Sequence, residues 1–235
     1  MQVMDSHLLL VRQIDALSGG RPTQQVVADV HLKQMFSKAV HVMNHLSGIG
    51  ITDANGRVLL AAGAVIPKGE ATADRDYFSA PRAGHVGLFV SQPFMQPSGE
   101  RHFALSIARA KPNGEFTGIV YTTVRIDYFT SFWKQFAPSA GYLVPLIRAD
   151  GTVLARYPAL DNPERFPPNG PFLTRIRQSE SGIYTAVSLV DGVERTNAYT
   201  KVGTLPLLRR GSMTGETSAA VTLGVEEFVS VRFWP

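Results

Sequence analysis

"GITDANGRVLLAAG", residues 50–63, is an apolar run, the pair Asn55-Gly56 and a second apolar run. Asn-Gly between β-formers is the strongest short-range signal for a hairpin, so the stretch predicts two tightly joined antiparallel strands. About 95 residues later the chain repeats itself in "LIRADGTVLARYP" (146–158). There Ala149, Asp150, Gly151, Val153 and Leu154 fall in line with Ala54, Asn55, Gly56, Val58 and Leu59. The sequels correspond too: "GIVYTTVRIDYF" (118–129) and "GIYTAVSLVDGVERTNAYTKV" (182–202) both read as antiparallel strands following a loop region. Two similar α+β units in tandem account for all four stretches.

Upstream of residue 49 the period is helical. Val3, His7, Leu10, Ile14 and Leu17 alternate spacings of four and three, the stripe of a helix that packs on a partner, and Ser18-Gly19-Gly20 ends it. The same stripe suits a parallel homodimer seam. Pro22 fits a first helical position, and Leu32, Met35, Phe36, Ala39, Met43 and Leu46 give a second helix a broad apolar face. His41 and His45 lie four apart on the opposite face, but no carboxylate joins them, so the face reads as solvated and no metal site is expected. The expected layout is an N-terminal helical stalk (1–48), a first module (49–137) and a second module with a C-terminal helix (138–235). A short helix near 127–141, with Tyr128, Phe132 and Phe136 at helical spacing, would join the modules and stop at Pro138 and Gly141. "YPALDNPERFPPNGPF" (157–172) reads as an ordered loop. "LRRGSMTGETSA" (208–219) reads as an exposed turn before a last strand (220–224) and a helix starting near Val225.

With 235 residues, 44% of them hydrophobic, the chain can bury one large core or two smaller ones. Twenty-three basic against nineteen acidic residues leave +4, and the cations are scattered, so nucleic acid finds no electrostatic footprint. The absence of cysteine excludes disulfides and Cys-ligated metals and fits an oxidising compartment. No apolar run is long enough to span a membrane, and "MQVMDSHLLLVRQ" lacks the form of a signal peptide; the sequence reads as a soluble piece of a longer protein. Neither a Gly-x-Ser-x-Gly elbow, a phosphate-cradling loop nor His-Glu-x-x-His occurs, and His85 and His102 lack a telling partner acid, so catalysis and a cofactor are not expected.

The long N-terminal helices, the hairpin, "DRDYFSAPR" (74–82), "GEFTGIVYTTVRIDYF" (114–129), "RADGTVLARYP" (148–158) and "DGVERTNAYTKV" (191–202), in that order, resemble the double Cache (dCache) sensor domains of bacterial membrane receptors, chiefly sensor histidine kinases of two-component systems. The resemblance implies an α+β fold of two tandem PAS-like modules, each an antiparallel sheet of about five strands, stacked along a long N-terminal helix. It also implies a periplasmic location, with the domain joined to the membrane by flanking helices, and a small-molecule ligand in the membrane-distal first module. The weighed alternative is a ligand-free protein-interaction module that relays signals in such a receptor.

On this resemblance Arg75, Tyr77 and Phe78 match the family's Arg-x-aromatic-aromatic element, which lies over the distal pocket. Asp74 would cap the helical turn that aims them. An Arg offers planar paired donors to a carboxylate, and rings that exclude water strengthen that contact. Along "HFALSIARA" (102–110) small Ala104, Ser106 and Ala108 alternate with bulky Phe103, Leu105 and Ile107, so one face leaves room. Ser106, Tyr121 and Thr123 would offer hydroxyls, and Phe89 would close the side. Two departures matter: "YTTV" (121–124) lacks the aspartate with which the amino-acid-binding branch holds an ammonium group, and Ser106-Ile107-Ala108 stands where many relatives have Ser-Arg-Arg. A carboxylate-bearing or neutral ligand fits better than an α-amino acid, and "LARYP" and "DGVERTNAY" in the second module look like scaffold.

Overall fold

The computed structural model describes residues 2–63, 72–96, 98–136, 143–159, 165–187, 192–202 and 205–214, and their contacts form two compact units. The first, Val3–Arg125, contains α1 (Gln2–Ser18), α2 (Thr23–Ala28), α3 (Val30–Val42), β1 (Leu46–Thr52), β2 (Val58–Gly63), α4 (Asp76–Arg82), β3 (Phe89–Val90), β4 (Phe94–Met95), β5 (Arg101–Ala110) and β6 (Phe116–Arg125). The second, which runs from Ile126, contains α5 (Ile126–Phe136), β7 (Val144–Arg148), β8 (Val153–Tyr157), α6 (Pro171–Gln178), β9 (Ser181–Val187), β10 (Glu194–Lys201) and β11 (Leu207–Met213). Both sheets are antiparallel. Their strands follow one order, β2-β1-β6-β5-β3 in the first, with β4 paired to β5, and β8-β7-β11-β10-β9 in the second.

The duplication reaches individual hydrogen bonds. Asp53 N donates to Arg57 O (2.9 Å) and Arg148 N to Thr152 O (2.8 Å), closing equivalent turns. The Asp53 carboxylate accepts from the N–H groups of Asn55 and Arg57, and Asp150 accepts from Thr152 N. Thr72 N then donates to Gly56 O at 2.8 Å, and Phe166 N to Gly151 O at 2.9 Å. Gly56 and Gly151 take φ of +84° and +92°, and a Cβ would stand 2.9 Å from Ala73 N or 2.7 Å from Phe166 O. Conformation and crowding both demand glycine there. Asn55 does not share the positive φ, so the Asp53 carboxylate and Gly56 shape the turn.

Cross-strand partners share a face of a sheet. In the first unit one face presents Ile49, Ile51, Val120, Thr122, Leu105 and Ile107, and the helices cover it with Val11, Ile14, Val26, Leu32 and Phe36. Each fully buried aliphatic or aromatic side chain here contributes roughly 1.5–3 kcal/mol. Two polar groups share this interface. Arg109, 1% exposed, donates to Ser18 O (2.8 Å) at the C-terminal end of α1 and to Thr52 O (3.1 Å) at the end of β1. His7 Nδ1 lies 3.1 Å from Thr122 Oγ1, and its ring meets His45 edge-on at 4.8 Å. The opposite face is small: Gly48, Gly50, Ala104 and Ser106 line it beside Thr123 and Tyr121.

Several expectations need correction. The α1 stripe turns His7, Leu10 and Ile14 into its own unit, leaving Leu17 41% exposed, so those three residues cannot supply a homodimer seam. The single second helix is two, split at Asp29, whose Oδ1 accepts from Leu32 N (3.0 Å) and starts α3 anew. Leu46 belongs to β1 rather than to a helix. His45 lies beyond the end of α3, so it shares no helix face with the exposed His41. Helix α5 buries Ile126, Phe129 and Trp133, one turn apart, rather than Tyr128 and Phe132. Residues 208–213 are not an exposed turn but most of β11, which pairs with both β7 and β10. The strand expected at 220–224, the helix from Val225 and the stops at Pro138 and Gly141 fall outside the described residues.

Candidate functional site

Helix α4 rests on the small-residue face of the first sheet. Its N-cap position is taken by Arg75, with extended backbone (φ −84°, ψ 140°) and no side-chain cap, so the capping role expected of Asp74 is not realised. Asp76 stands in the first turn, where a carboxylate complements the helix dipole, and its Oδ2 accepts from Gln92 N at 2.7 Å. Pro81 lies near the C-terminal end, and Tyr77 and Phe78 are both turned inward.

Beneath the helix the rings gather. Tyr77 lies 5.3 Å from Tyr121 and 5.8 Å from Phe94, and Phe78 meets Phe116 edge-on at 5.9 Å. The Arg75 guanidinium stands 5.6 Å over the Phe94 ring, a cation–π arrangement. Phe89 packs against the same cluster and pairs with Ser106. Of the seven expected ligand residues, Arg75, Tyr77, Phe78, Phe89, Ser106 and Tyr121 thus surround one place, and Thr123 stands two residues along β6 from Tyr121 on the same face. Two hydroxyls are engaged within the fold, Ser106 donating to Tyr77 O (2.6 Å) and Thr123 to Gly48 O (3.3 Å). The Tyr121 hydroxyl is buried and, among the described residues, has no hydrogen-bond partner. Burial pushes both phenols up, with Arg75 partly offsetting it at Tyr77, so they stand neutral and can donate. Gly50 makes room for the Tyr121 ring, since a Cβ there would lie 2.6 Å from it.

The corresponding face of the second unit holds a cavity of about 370 Å³ beside α6. Phe166, Phe172 and Tyr184 form apolar wall, and Arg156, Arg195 and Arg210 with Ser212 supply the polar part. Among the described residues, no group of three or more His, Cys, Asp or Glu is placed to hold a metal ion, and no helix is long and apolar enough to cross a membrane.

Residues 126–211 match the dCache_1_like family model, described as a histidine kinase sensor domain. The extracellular domain assigned to the histidine kinase rpHK1S-Z16 superposes with a TM-score of 0.74 at 24% identity, over 91% of this chain and 88% of the other. The fold is that of double Cache domains. The ligand-binding domain of the Pseudomonas aeruginosa PAO1 amino-acid chemoreceptor PctC, solved with GABA, gives a TM-score of 0.59 at 14% identity over 91% and 92% of the two chains. That of the Campylobacter jejuni chemoreceptor Tlp3, solved with 4-methylisoleucine, gives 0.56 at 15% over 90% and 83%. No curated protein matches the sequence. In this double Cache fold the sequence reading overlooked Phe94, Phe116 and Gly50 in the first unit. Gly48 and Gly50, alternating inside a strand, were a readable sign of close approach. In the second unit it set aside as scaffold the stretches that hold Arg156 and Arg195, and it read the stretch that holds Arg210 and Ser212 as an exposed turn. Arg195-x-Asn197 and Arg210-x-Ser212 put those polar groups on one face of adjacent strands, but the pairing that unites them is visible only in three dimensions.

Proposed function

We propose that this double Cache chain is the extracytoplasmic, small-molecule-binding sensor domain of a transmembrane signal-transduction receptor, a histidine kinase. We place its ligand in the first unit, against Arg75, Tyr77, Phe78, Phe89 and Tyr121 with Ser106 and Thr123 alongside. The observation that carries this reading is the buried Tyr121 hydroxyl, without a hydrogen-bond partner among the described residues, on a face of glycine, alanine and serine under α4. A buried polar group left unsatisfied costs about 1–3 kcal/mol, a penalty that a ligand oxygen at that place would remove. Arg75, at the edge of the ring cluster, is suited to a carboxylate. PctC and Tlp3 were solved with amino-acid ligands, and every amino acid carries a carboxylate. The stretch Tyr121-Thr122-Thr123-Val124 offers no acid for an ammonium group, so a carboxylate without an α-amino group is the better fit. Binding would favour a state with α4 closed on the sheet, a population shift passed on through the ends of the unit.

A thermal-shift screen with small carboxylates, amino acids, aromatic acids and sugars tests the reading, because a ligand of the folded state raises the melting temperature by mass action. We expect a carboxylate hit that Arg75→Ala abolishes. Tyr121→Phe should leave the unliganded protein as stable or more so, yet weaken that hit about tenfold or more. If every hit were indifferent to both substitutions, the ligand would not sit in the first unit. No hit across the library would favour the ligand-free relay module.

A further inference from the structure

We infer that the first unit carries an acid-operated release, in which proton uptake by His7 frees the N-terminal half of α1 from the sheet. Among the described residues α1 buries Met4, His7, Leu10, Val11, Ile14 and Ser18, and His7 is the titratable member of that set. Its ring is 0% exposed and sits against β6, with Nδ1 3.1 Å from Thr122 Oγ1. Register places Ile49 and Leu105 on either side of Thr122, so the sheet beneath the ring is otherwise apolar. The Nε2 atom is buried and has no hydrogen-bond partner among the described residues.

A neutral ring suits that place and a charged one does not. Protonation turns both ring nitrogens into donors, and no acceptor among the described residues meets Nε2. The groups that face the ring bring positive charge rather than negative. His45, from the connection between α3 and β1, meets it edge-on at 4.8 Å, and Arg125 of β6, which donates to Asn44 O, acts in turn on His45. On α1 itself Asp5 and Arg12 are exposed. Burial, and after it His45, accordingly holds His7 neutral in place. The ring takes up a proton where water reaches it, which means off the sheet. The other end of α1 is held by a charge already in place: the Arg109 guanidinium donates to Ser18 O at 2.8 Å, so the release is confined to the turns around His7.

The inference does not rest on the ligand proposed for the first unit, since none of the residues placed against that ligand takes part. Amide hydrogen exchange of the whole chain at pH 7.5 and 5.5, with each rate divided by the intrinsic rate at that pH, tests it. A group that titrates at about 6.5 in the open state multiplies opening by about 1.1 at pH 7.5 and by about 11 at pH 5.5. We expect the opening of residues 4–14 to rise about tenfold or more between the two, and to exceed that of β1, β5 and β6 at both. His7→Gln, which takes up no proton, should remove about a factor of ten from that rise. If this variant does not fold, the ring signals of His7 in the wild type decide, and they should stay those of the neutral form in the seated state at pH 5.5. The inference is overturned if the opening of α1 changes less than about twofold, or if the rise is undiminished in His7→Gln. Protection of α1 equal to that of the sheet at pH 5.5, or titration of His7 near about 6.5 with α1 still seated, would also overturn it.

Discussion

His7 lies wholly out of solvent on α1, with Thr122 on one side of its ring and His45 on the other. Burial, and after it the neighbouring His45, lowers its pKa from 6.5 to about 3; burial and then Arg125 lower that of His45 to about 4. A base whose folded pKa is depressed stays neutral in the native state while the unfolded chain takes up a proton at 6.5. Its stabilising contribution is therefore whole above pH 6.5 and declines as the pH falls towards 3. For His7 alone the slope is about 1.4 kcal/mol per pH unit. Urea titrations of the wild type and His7→Met at pH 7, 6 and 5 should show the wild type losing stability relative to the variant by about half that amount between pH 7 and 6 and by most of it between pH 6 and 5. A constant gap would mean that His7 takes up its proton without leaving the interface.

At the scale of elements the hairpins invite a sharper comparison. Gly56 and Gly151 hold positive φ at equivalent bends, and a Cβ at either would meet backbone atoms closer than 3 Å. Gly56→Ala and Gly151→Ala should each cost about 1–3 kcal/mol, measured by chemical unfolding. Asn55→Ala should stay within about 0.5 kcal/mol, because Asn55 has an ordinary φ. The contrast shows what the sequence could and could not say. Asn55-Gly56 announced a hairpin correctly, while the work of shaping it falls to Asp53 two residues earlier. The break at Asp29 was legible as a cap yet hidden by the continuous apolar face around it. The strand at Leu207–Met213 was masked by Arg209, Arg210 and Gly211, which read as solvent-loving until aromatic rings from elsewhere take up Arg210.

Over the whole molecule, repetition was the most readable feature, because corresponding turns need the same few residues wherever they occur. The cluster around Tyr77 and Tyr121 was partly foreseeable, since α4 follows the first hairpin and alternation fixes which face of β5 and β6 meets it. The cavity in the second unit was not, because it depends on strands distant in sequence sharing a face. The hydrophobic cluster that contains Phe36 and Ile49 and the one that contains Leu173 and Tyr199 have no residue in common. Leu173→Ala, at a position 1% exposed, should cost about 2–5 kcal/mol. Hydrogen exchange should then show faster amides in β7, β10 and β11 while β1, β5 and β6 keep their protection. Loss spread evenly over both sheets would instead mark the chain as one cooperative unit.

Arg109 gives the first unit a built-in reporter. Its guanidinium is sealed beneath the end of α1 and bound to the carbonyls of Ser18 and Thr52. A dicarbonyl reagent such as phenylglyoxal can reach it only when that helix end lifts from the sheet, whereas arginines on the surface react at once. The rate at which Arg109 acquires the adduct, followed by peptide mass spectrometry with and without a bound effector, would therefore time the opening of the helix against the sheet without any engineered label.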